Sequence, residues 1–292
     1  MSRRGLALFL AMCLIWGIPY LLIRVAVRGV GPVDLVFLRV TLGAVILIPI
    51  ALTRVRVGPI LRRWGWILAY TIVEMAVPWV LLSNAELRIS SSLSGLLVST
   101  VPLIGVGIGL LTRSGERHSR QRILGLVVGL VGVAVLVGFD VSSSTAGAIA
   151  QVLVVAVCYA TGPFIINRKL ADLPALGVIA ASLAIAAVGY APAAVLQLPR
   201  AWPSGDVTAA VLTLGVVCTA LAFVLFFALI GEVGPVRATV ITYVNPAVAV
   251  TLGVLLLHER FTAGIAAGFV LILFGSVLGA RATPPRAEPA RA

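Results

Sequence analysis

The stretch from Arg237 to Arg281 decides the fold of this chain, and it reads RATVITYVNPAVAVTLGVLLLHERFTAGIAAGFVLILFGSVLGAR. It holds two apolar runs, Ala238–Leu257 and Ala263–Ala280, and a short polar sequence separates them. Each run approaches the roughly 20 apolar residues that an α-helix needs to cross a bilayer. The stretch therefore predicts two membrane-spanning helices joined by a short loop.

A second copy of this pattern lies 143 to 144 residues upstream, between Ser94 and Gly138. The matched pairs are Pro102 with Pro246, Gly109 with Gly253, Glu116 with Glu259, Gly125 with Gly268 and Gly132 with Gly275. An extra residue in the loop of the first copy explains why the shift changes along the chain. Because an internal repeat determines the architecture, the sequence predicts two homologous membrane halves.

The composition is that of a membrane protein. Of the 292 residues, 61% are hydrophobic and 11% are charged, whereas about 25% are charged in a soluble domain. A net charge of +12 would favour a nucleic-acid partner in a soluble protein. Here the basic residues lie in short loops between apolar runs, so no nucleic-acid partner is expected. Cys13, Cys158 and Cys218 lie in separate apolar runs, which argues against a disulfide framework.

The apolar runs define ten predicted spans, and the fold class is therefore an all-α polytopic membrane protein. The spans cover about residues 5–27, 33–52, 64–84, 91–112, 121–139, 146–167, 175–198, 207–230, 236–257 and 263–280. The first five spans form a repeat over residues 5–139, and the last five form a repeat over residues 146–281. The tail, residues 282–292, is expected to be disordered.

Lysine and arginine in the loops predict the orientation of the chain. With the N-terminus inside, 16 of the 22 basic residues lie in cytoplasmic segments and 5 lie at the outer ends of spans. Both termini are therefore expected in the cytoplasm. Because each half has an odd number of spans, the second half is inverted relative to the first. Inverted repeats are typical of secondary transporters, although some channels and membrane enzymes also carry repeats.

A series of short motifs carries a resemblance to a known family. The motifs are Trp16-Gly17, Pro32, Arg39, Pro102, and the run from Pro246 to Glu259-Arg260-Phe261-Thr262 before a glycine-rich span 10. In order and spacing, over roughly residues 6–281, they resemble the drug/metabolite transporter superfamily, in its branch with two EamA domains. The resemblance implies a basket of helices around a central cavity, lined by spans 1–4 and 6–9, that carries small metabolites.

Three features depart from the pattern of that family, and one is the longer basic loop that holds Gly115-Glu116 in the first half. His258 stands where the family usually has a small residue before the glutamate. Tyr159-Ala160 in span 6 stands where span 1 has Trp16-Gly17. These departures leave the resemblance in order and spacing intact.

Glu74 is the candidate for ion coupling. It lies about ten residues into span 3, at a depth of about 15 Å, which is near the midplane. An ionisable group at that depth points to function, as a proton acceptor, a site for a cationic solute, or a partner of Arg39. The alternative is structural, as a buried ion pair or a protonated, hydrogen-bonded acid. Its repeat mate is Cys218, so any acid chemistry is confined to one half.

The cavity candidates are polar, aromatic or helix-breaking residues on the predicted inner faces of the helices. They are Trp16, Tyr20, Arg39, Tyr70, Glu74, Ser99, Pro102, Tyr159, Thr239, Thr242, Tyr243 and Pro246. Arg39 is suited to hold a solute carboxylate through two hydrogen bonds, and a salt bridge or a structural anchor is the alternative. For the hydroxyls, the aromatic rings and Asn245, the alternatives are hydrogen bonds between helices and ordinary packing.

Three further features are interpreted as structural. Glycines at spacings of four, including Gly105, Gly125 and Gly275, are expected to pack helices within the chain. Glu259 and its mate Glu116 are expected to cap helix starts or to bind arginines in loops. Arg24 is expected to extend toward the outer membrane boundary. His258-Glu259 lacks the second histidine of a zinc motif, so the prediction is that no metal and no cofactor is needed.

The sequence thus predicts a secondary transporter of a small organic metabolite, amino-acid-like or drug-like, that works by alternating access. Export across a bacterial-type plasma membrane is the expected direction, and the solute and the bilayer are the expected partners. Both a monomer and an oligomer fit the sequence. One alternative is an intramembrane enzyme, although no pairing of nucleophile and base is visible. The other is a scaffold or receptor without transport activity.

Overall fold

The computed structural model describes residues 2–111, 120–138, 143–197, 203–238 and 240–280, and every regular element in these ranges is helical. Seven of the helices are long and apolar enough to cross a membrane. Three shorter apolar helices, Ile123–Leu136, Ile241–Leu257 and Ala263–Leu278, coincide with predicted spans 5, 9 and 10. The chain is therefore an all-helical polytopic membrane protein. The count of ten spans and the orientation stay predictions.

The helices of the first half follow the predicted spans, with a short helix between spans 2 and 3. They are α1 (Arg3–Ile15), α2 (Pro19–Ala26), α3 (Pro32–Arg54), α4 (Val57–Arg62), α5 (Trp64–Thr71), α6 (Val77–Ala85), α7 (Ser91–Val98), α8 (Val101–Leu111) and α9 (Arg120–Gly138). A π-helical segment, π1 (Ile72–Ala76), joins α5 to α6. Span 1 is interrupted between α1 and α2, just before Pro19, because proline cannot donate the hydrogen bond that a continuous helix needs.

The second half repeats this order. Its helices are α10 (Ser143–Ile165), α11 (Ala175–Gln197), α12 (Gly205–Gly215), α13 (Ala222–Val233), α14 (Pro235–Ala238), α15 (Ile241–Leu257) and α16 (Ala263–Ala280). Two more π-helical segments occur, π2 (Ile166–Leu170) after α10 and π3 (Val216–Leu221) between α12 and α13. Shifted by 144 residues, π1 begins where π3 begins, so span 3 and span 8 share the same irregularity. Such segments are frequent at functional sites.

The helices form two compact units, and each unit takes helices from both sequence halves. Unit 1 comprises Met1–Val98 and Ser142–Arg260, and unit 2 comprises Ser99–Val141 and Phe261–Ala292. Within each unit the described residues show how equivalent helices pack.

In unit 1, α3 and α11 are equivalent helices of 23 residues each. A Cβ added at Gly43 would stand 3.2 Å from Leu183 Cδ1, and one added at Gly177 would stand 2.9 Å from Val55 Cγ1. Residue numbers rise along α3 while those of the contacted residues on α11 fall, so the two helices run antiparallel. Leu183 and Leu47 are fully buried in the core that these helices share.

In unit 2, the equivalent helices α9 and α16 pack through glycine. A Cβ added at Gly132 would stand 2.8 Å from the main-chain nitrogen of Ile272, and one at Gly275 would stand 2.5 Å from the main-chain nitrogen of Gly129. These contacts also require antiparallel helices, and they confirm that the repeated glycines of spans 5 and 10 pack helices within the chain. Gly105 makes no such contact with a described residue.

Large apolar side chains on the outer surface complete the picture of a protein in lipid. Leu196 is 86% exposed and Val188 is 75% exposed, and both lie on α11. Further large apolar side chains, among them Val45, Leu255 and Val270, are also more than 60% exposed. These faces therefore suit contact with hydrocarbon chains.

Candidate functional site

Arg39 is a buried cation of unit 1, and its neighbours hold it in one orientation. It lies on α3, is buried, and its Nε donates a hydrogen bond of 2.9 Å to Oγ1 of Thr219 in π3. The guanidinium carbon stands 3.7 Å from the centre of the Trp79 ring, close enough for a cation–π interaction. Thr219 in turn donates a 2.8 Å hydrogen bond to the carbonyl of Leu214. Three spans therefore hold the orientation of this guanidinium.

Glu74 lies in π1 and does not form the ion pair with Arg39 that was one of its predicted roles. Among the described residues the salt bridge is that of Arg63 with Asp172, at 3.4 Å. Oε2 of Glu74 is buried and has no hydrogen-bond partner in the described part of the chain. The carboxyl instead lies against Gly162 on α10, where an added Cβ would overlap Oε2. Glycine at residue 162 therefore makes room for the acid.

Three tyrosines connect these two charged groups. Tyr20 and Tyr70 are buried and Tyr159 is partly buried. Tyr159 lies within electrostatic range of both Glu74 and Arg39, whereas Tyr70 is in range of the acid and Tyr20 of the arginine. The structure thus brings together five of the predicted residues, and we call them the unit 1 cluster: Tyr20, Arg39, Tyr70, Glu74 and Tyr159.

Trp16 belongs to an aromatic row on the same unit. It lies in the break between α1 and α2, and its ring centre is 5.9 Å from that of Phe223 and 4.7 Å from that of Phe226 on α13. Phe227 extends the row, with its centre 6.3 Å from that of Phe223. The three phenylalanines were not predicted as site residues. Their spacing of three and four residues on span 8 is the signal that would have found them.

The candidates on span 9 differ in how deeply they are buried. Pro246 is buried, while Thr242 and Tyr243 are partly exposed. With its amide nitrogen turned toward them, Asn245 donates to the carbonyls of Ile241, at 3.0 Å, and Cys13, at 3.1 Å. This residue therefore joins helices, which was the alternative to solute contact.

The remaining candidates stay predictions. Thr239 lies outside the described residues. Ser99 and Pro102 belong to unit 2, where Ser99 is buried and Pro102 partly exposed. A role for Ser99 and Pro102 in binding solute therefore stays a prediction.

Glu259 caps the start of α7, as predicted. Its Oε1 accepts hydrogen bonds from the main-chain nitrogen (2.8 Å) and the hydroxyl (2.9 Å) of Ser91. Its Oε2 accepts from the main-chain nitrogen of Ser92, at 2.9 Å, and from the Ser92 hydroxyl. A carboxylate is favoured there because it satisfies free N–H groups and faces the positive end of the helix dipole. Glu116 lies outside the described residues.

The loop that carries this cap explains an unusual residue. His258 has φ of 54°, in the left-handed region that favours glycine. Among small residues, glycine would relieve that strain because it has no Cβ. Beside it, Gly253 leaves no room for a side chain, because an added Cβ would overlap the Glu259 carboxylate.

The side chain of Arg24 reaches the end of α6, and its extension toward the outer membrane boundary stays a prediction. Arg24 is partly buried and donates a hydrogen bond to the main-chain carbonyl of Glu86. The end of α2 is thereby joined to the end of α6.

Comparison with known proteins agrees with the repeat and with the membrane fold. The EamA-like transporter family matches the chain twice, over residues 3–138 and 146–280, which confirms the resemblance seen in the sequence. The uncharacterized transporter YvbV of Bacillus subtilis is 24% identical over 275 residues, covering 91% of this chain and 88% of the relative.

Two further proteins are similar over most of their length. The uncharacterized inner membrane transporter YedA of Escherichia coli K12 is 29% identical over 253 residues, covering 85% of this chain and 80% of the relative. A solved crystal structure superposes with a TM-score of 0.66 at 22% identity, covering 96% of this chain and 98% of the other. At that identity the structure establishes likeness of fold alone.

Proposed function

We propose, because the chain belongs to the EamA-like transporter family, that it is a secondary transporter of a small organic solute. Family membership and the two relatives named as transporters establish a membrane transporter and point away from an enzyme. The class of solute, the coupling, the mechanism and the direction are the proposal. The relative named as an inner membrane protein supports a bacterial plasma membrane as the location.

The observation that carries the proposal is the unit 1 cluster. Arg39 is held by Thr219 and Trp79, neither of which neutralises its charge. A buried guanidinium without a carboxylate partner among the described residues is suited to bind an anionic group. Glu74 supplies an acid without a hydrogen-bond partner for Oε2 in the described part, and Tyr159 lies within electrostatic range of both groups. The cluster suits an organic solute with a carboxylate and an apolar or aromatic portion.

The helix directions support alternating access. α3 and α11 are equivalent by the repeat and run antiparallel, and so do α9 and α16 in unit 2. This arrangement follows from the proposed topology, in which the two halves have opposite orientations. That topology has ten spans and both termini in the cytoplasm. In transporters of this plan the halves rock about a site between them. Export remains the expected direction.

Glu74 is the proposed coupling group. A carboxyl in the middle of a span costs less free energy when it carries a proton. Proton binding while the site faces one side and release while it faces the other would drive solute movement. The second half has Cys218 at the equivalent position, so one acid serves the whole cycle.

Solute uptake into proteoliposomes tests the proposal. The purified full chain is reconstituted and offered a panel of labelled organic anions, zwitterions and cations. Wild-type protein should take up at least one carboxylate-bearing solute with saturation. Arg39→Gln should weaken its apparent affinity about tenfold to a hundredfold, since a hydrogen bond to a charged group contributes about 1.5–3 kcal/mol.

Arg28→Gln is the matched control, because Arg28 is exposed and lies outside the cluster. It should transport as the wild type does. Saturable uptake limited to cations, with Arg39→Gln unchanged, would refute the assignment of Arg39. Absence of uptake for the whole panel would count against the transport proposal.

A further inference from the structure

A buried acid outside the unit 1 cluster lies at the end of span 3. Glu86 directly follows α6, and its exposed fraction is 0%. Neither of its carboxyl oxygens has a hydrogen-bond partner among the described residues. A buried, ionised carboxylate without partners is destabilised by several kcal/mol. This carboxyl therefore needs a proton or another cation in the conformation that the structure shows.

Several polar groups face Glu86 from the helices around it. Arg24 on α2 donates to its main-chain carbonyl, and Tyr20 of the same helix lies within electrostatic range. Ser94 on α7 is fully buried and its hydroxyl also has no hydrogen-bond partner in the described part. Glu259, after α15, lies close enough to repel a second negative charge. The acid therefore has a cation, a carboxylate and a hydroxyl around it.

These neighbours favour a proton over a metal cation. The guanidinium of Arg24 already places a positive charge beside the acid, which opposes the entry of a second cation. The Ser94 hydroxyl can accept from a protonated carboxyl or donate to an ionised one, so it can serve both states. Full burial and the nearby negative charge of Glu259 favour the protonated state. Burial raises the pKa of Glu86 well above its ordinary value, and repulsion by Glu259 adds to this rise, while Arg24 and Ser94 oppose it.

We propose that Glu86, Ser94, Arg24 and Glu259 form a proton-binding site at this end of unit 1, distinct from Glu74, with Glu86 as the acid that binds the proton. On release, the O–H bond of Glu86 breaks, the proton passes to water, and the carboxylate remains beside Arg24. Because a carboxylate there must be hydrated, release requires the ends of α2, α6 and α7 to separate. The protonated acid keeps that end closed and its ionised form opens it.

The role of this proton as a pH-dependent gate rests on the proposed transport function, whereas the existence of the site does not. In the proposed orientation, the loop from Glu86 to Ser91 faces outside the cell. The gate would therefore respond to the external pH.

Infrared spectroscopy of the reconstituted full chain tests the site directly. The difference spectrum between wild type and Glu86→Gln at neutral pH should contain the carbonyl band of a protonated carboxylic acid. At alkaline pH that band should give way to carboxylate bands. Asp172→Asn is the control, because Asp172 is an exposed acid and its difference spectrum should show carboxylate bands at neutral pH. Carboxylate bands alone for Glu86 at neutral pH would overturn the proposal.

A second variant covers the case in which Glu86→Gln does not fold. Ser94→Ala keeps the acid and removes only its hydroxyl partner, so the band of the protonated acid should shift as its hydrogen bond is lost. An unshifted spectrum would contradict the assignment. This measurement needs no transport activity.

Proteoliposomes then test the gate. In wild type, the rate of solute exchange should change with the pH on the Glu86 side, and in Glu86→Gln that dependence should be lost. If Glu86 is protonated but the exchange rate of Glu86→Gln keeps its pH dependence, the gating role is refuted and the proton-binding site is still supported. If no solute crosses in wild type, the transport proposal fails while the infrared result is unaffected.

Discussion

Replacing Glu259 with glutamine tests how strongly the loop after α15 holds the start of α7. The wild-type carboxylate accepts four hydrogen bonds from Ser91 and Ser92, two on each oxygen. In glutamine one oxygen becomes an amide nitrogen, which donates and cannot accept. One main-chain N–H, of Ser91 or Ser92, therefore loses its acceptor, while the hydroxyl of the same serine can turn and accept from the amide.

The magnitude follows from these contacts. Loss of a main-chain hydrogen bond to a charged acceptor costs about 1.5–3 kcal/mol, and the interaction of the charge with the helix dipole adds about 0.5–1 kcal/mol. The free energy of unfolding should therefore fall by about 3 kcal/mol. For a chain of this size, that loss lowers the melting temperature by roughly 5–10 °C.

The assay is thermal unfolding of the detergent-solubilised full chain, followed by tryptophan fluorescence. Asp172→Asn is the matched control, because it removes one carboxylate from an exposed ion pair with Arg63. Exposed pairs contribute about 0–1 kcal/mol, so its melting temperature should stay near that of wild type. Equal melting temperatures for the two variants would refute the reasoning that Glu259 is an important cap.

Three further predictions use the same thermal assay or the transport assay. His258→Gly should raise the free energy of unfolding by about 1 kcal/mol, because it removes the cost of holding a residue with a Cβ in the left-handed region. His258→Ala should not raise it, and equal stability of the two variants would contradict this reasoning. Gly162→Ala should displace the Glu74 carboxyl and abolish transport driven by a pH gradient. Gly147→Ala on the same helix, with open space around it, should not. Normal driven transport in Gly162→Ala would be the contrary result. Gly132→Ala should lower the free energy of unfolding by about 1–3 kcal/mol, because the added methyl group forces α9 and α16 apart. Gly107→Ala, whose added Cβ meets nothing within 4 Å, should leave the free energy of unfolding unchanged or raise it. A loss of similar size in both variants would count against glycine packing between these helices.

The sequence repeat predicted those features that depend on local or repeated patterns. Spans 5 and 10 pack through Gly132 and Gly275 because small residues at helical spacing allow close backbone contact. Glu259 caps a helix because a polar acid between two apolar runs has few other partners. The two occurrences of the family over residues 3–138 and 146–280 follow from the same repeat.

Features that depend on helix rotation and on distant contacts were beyond the sequence. Whether Arg39 meets Glu74 depends on how spans 2 and 3 rotate, and the π-helical turn alters that rotation in span 3. Thr219, which accepts the Arg39 hydrogen bond, is 180 residues away. The burial of Glu86 could not be predicted from the sequence, because groups on α2 and α7, distant in sequence, surround it.

Solute accumulation driven by an imposed pH gradient tests the central claim, that Glu74 in the unit 1 cluster couples proton and solute movement. The variant Glu74→Gln keeps the size of the side chain and removes its titration. Proteoliposomes with wild-type protein should concentrate the solute against its gradient. Those with Glu74→Gln should still bind and exchange it, with affinity within about tenfold, a cost near 1.4 kcal/mol, but should not concentrate it. Accumulation by Glu74→Gln under a pH gradient alone would contradict the claim.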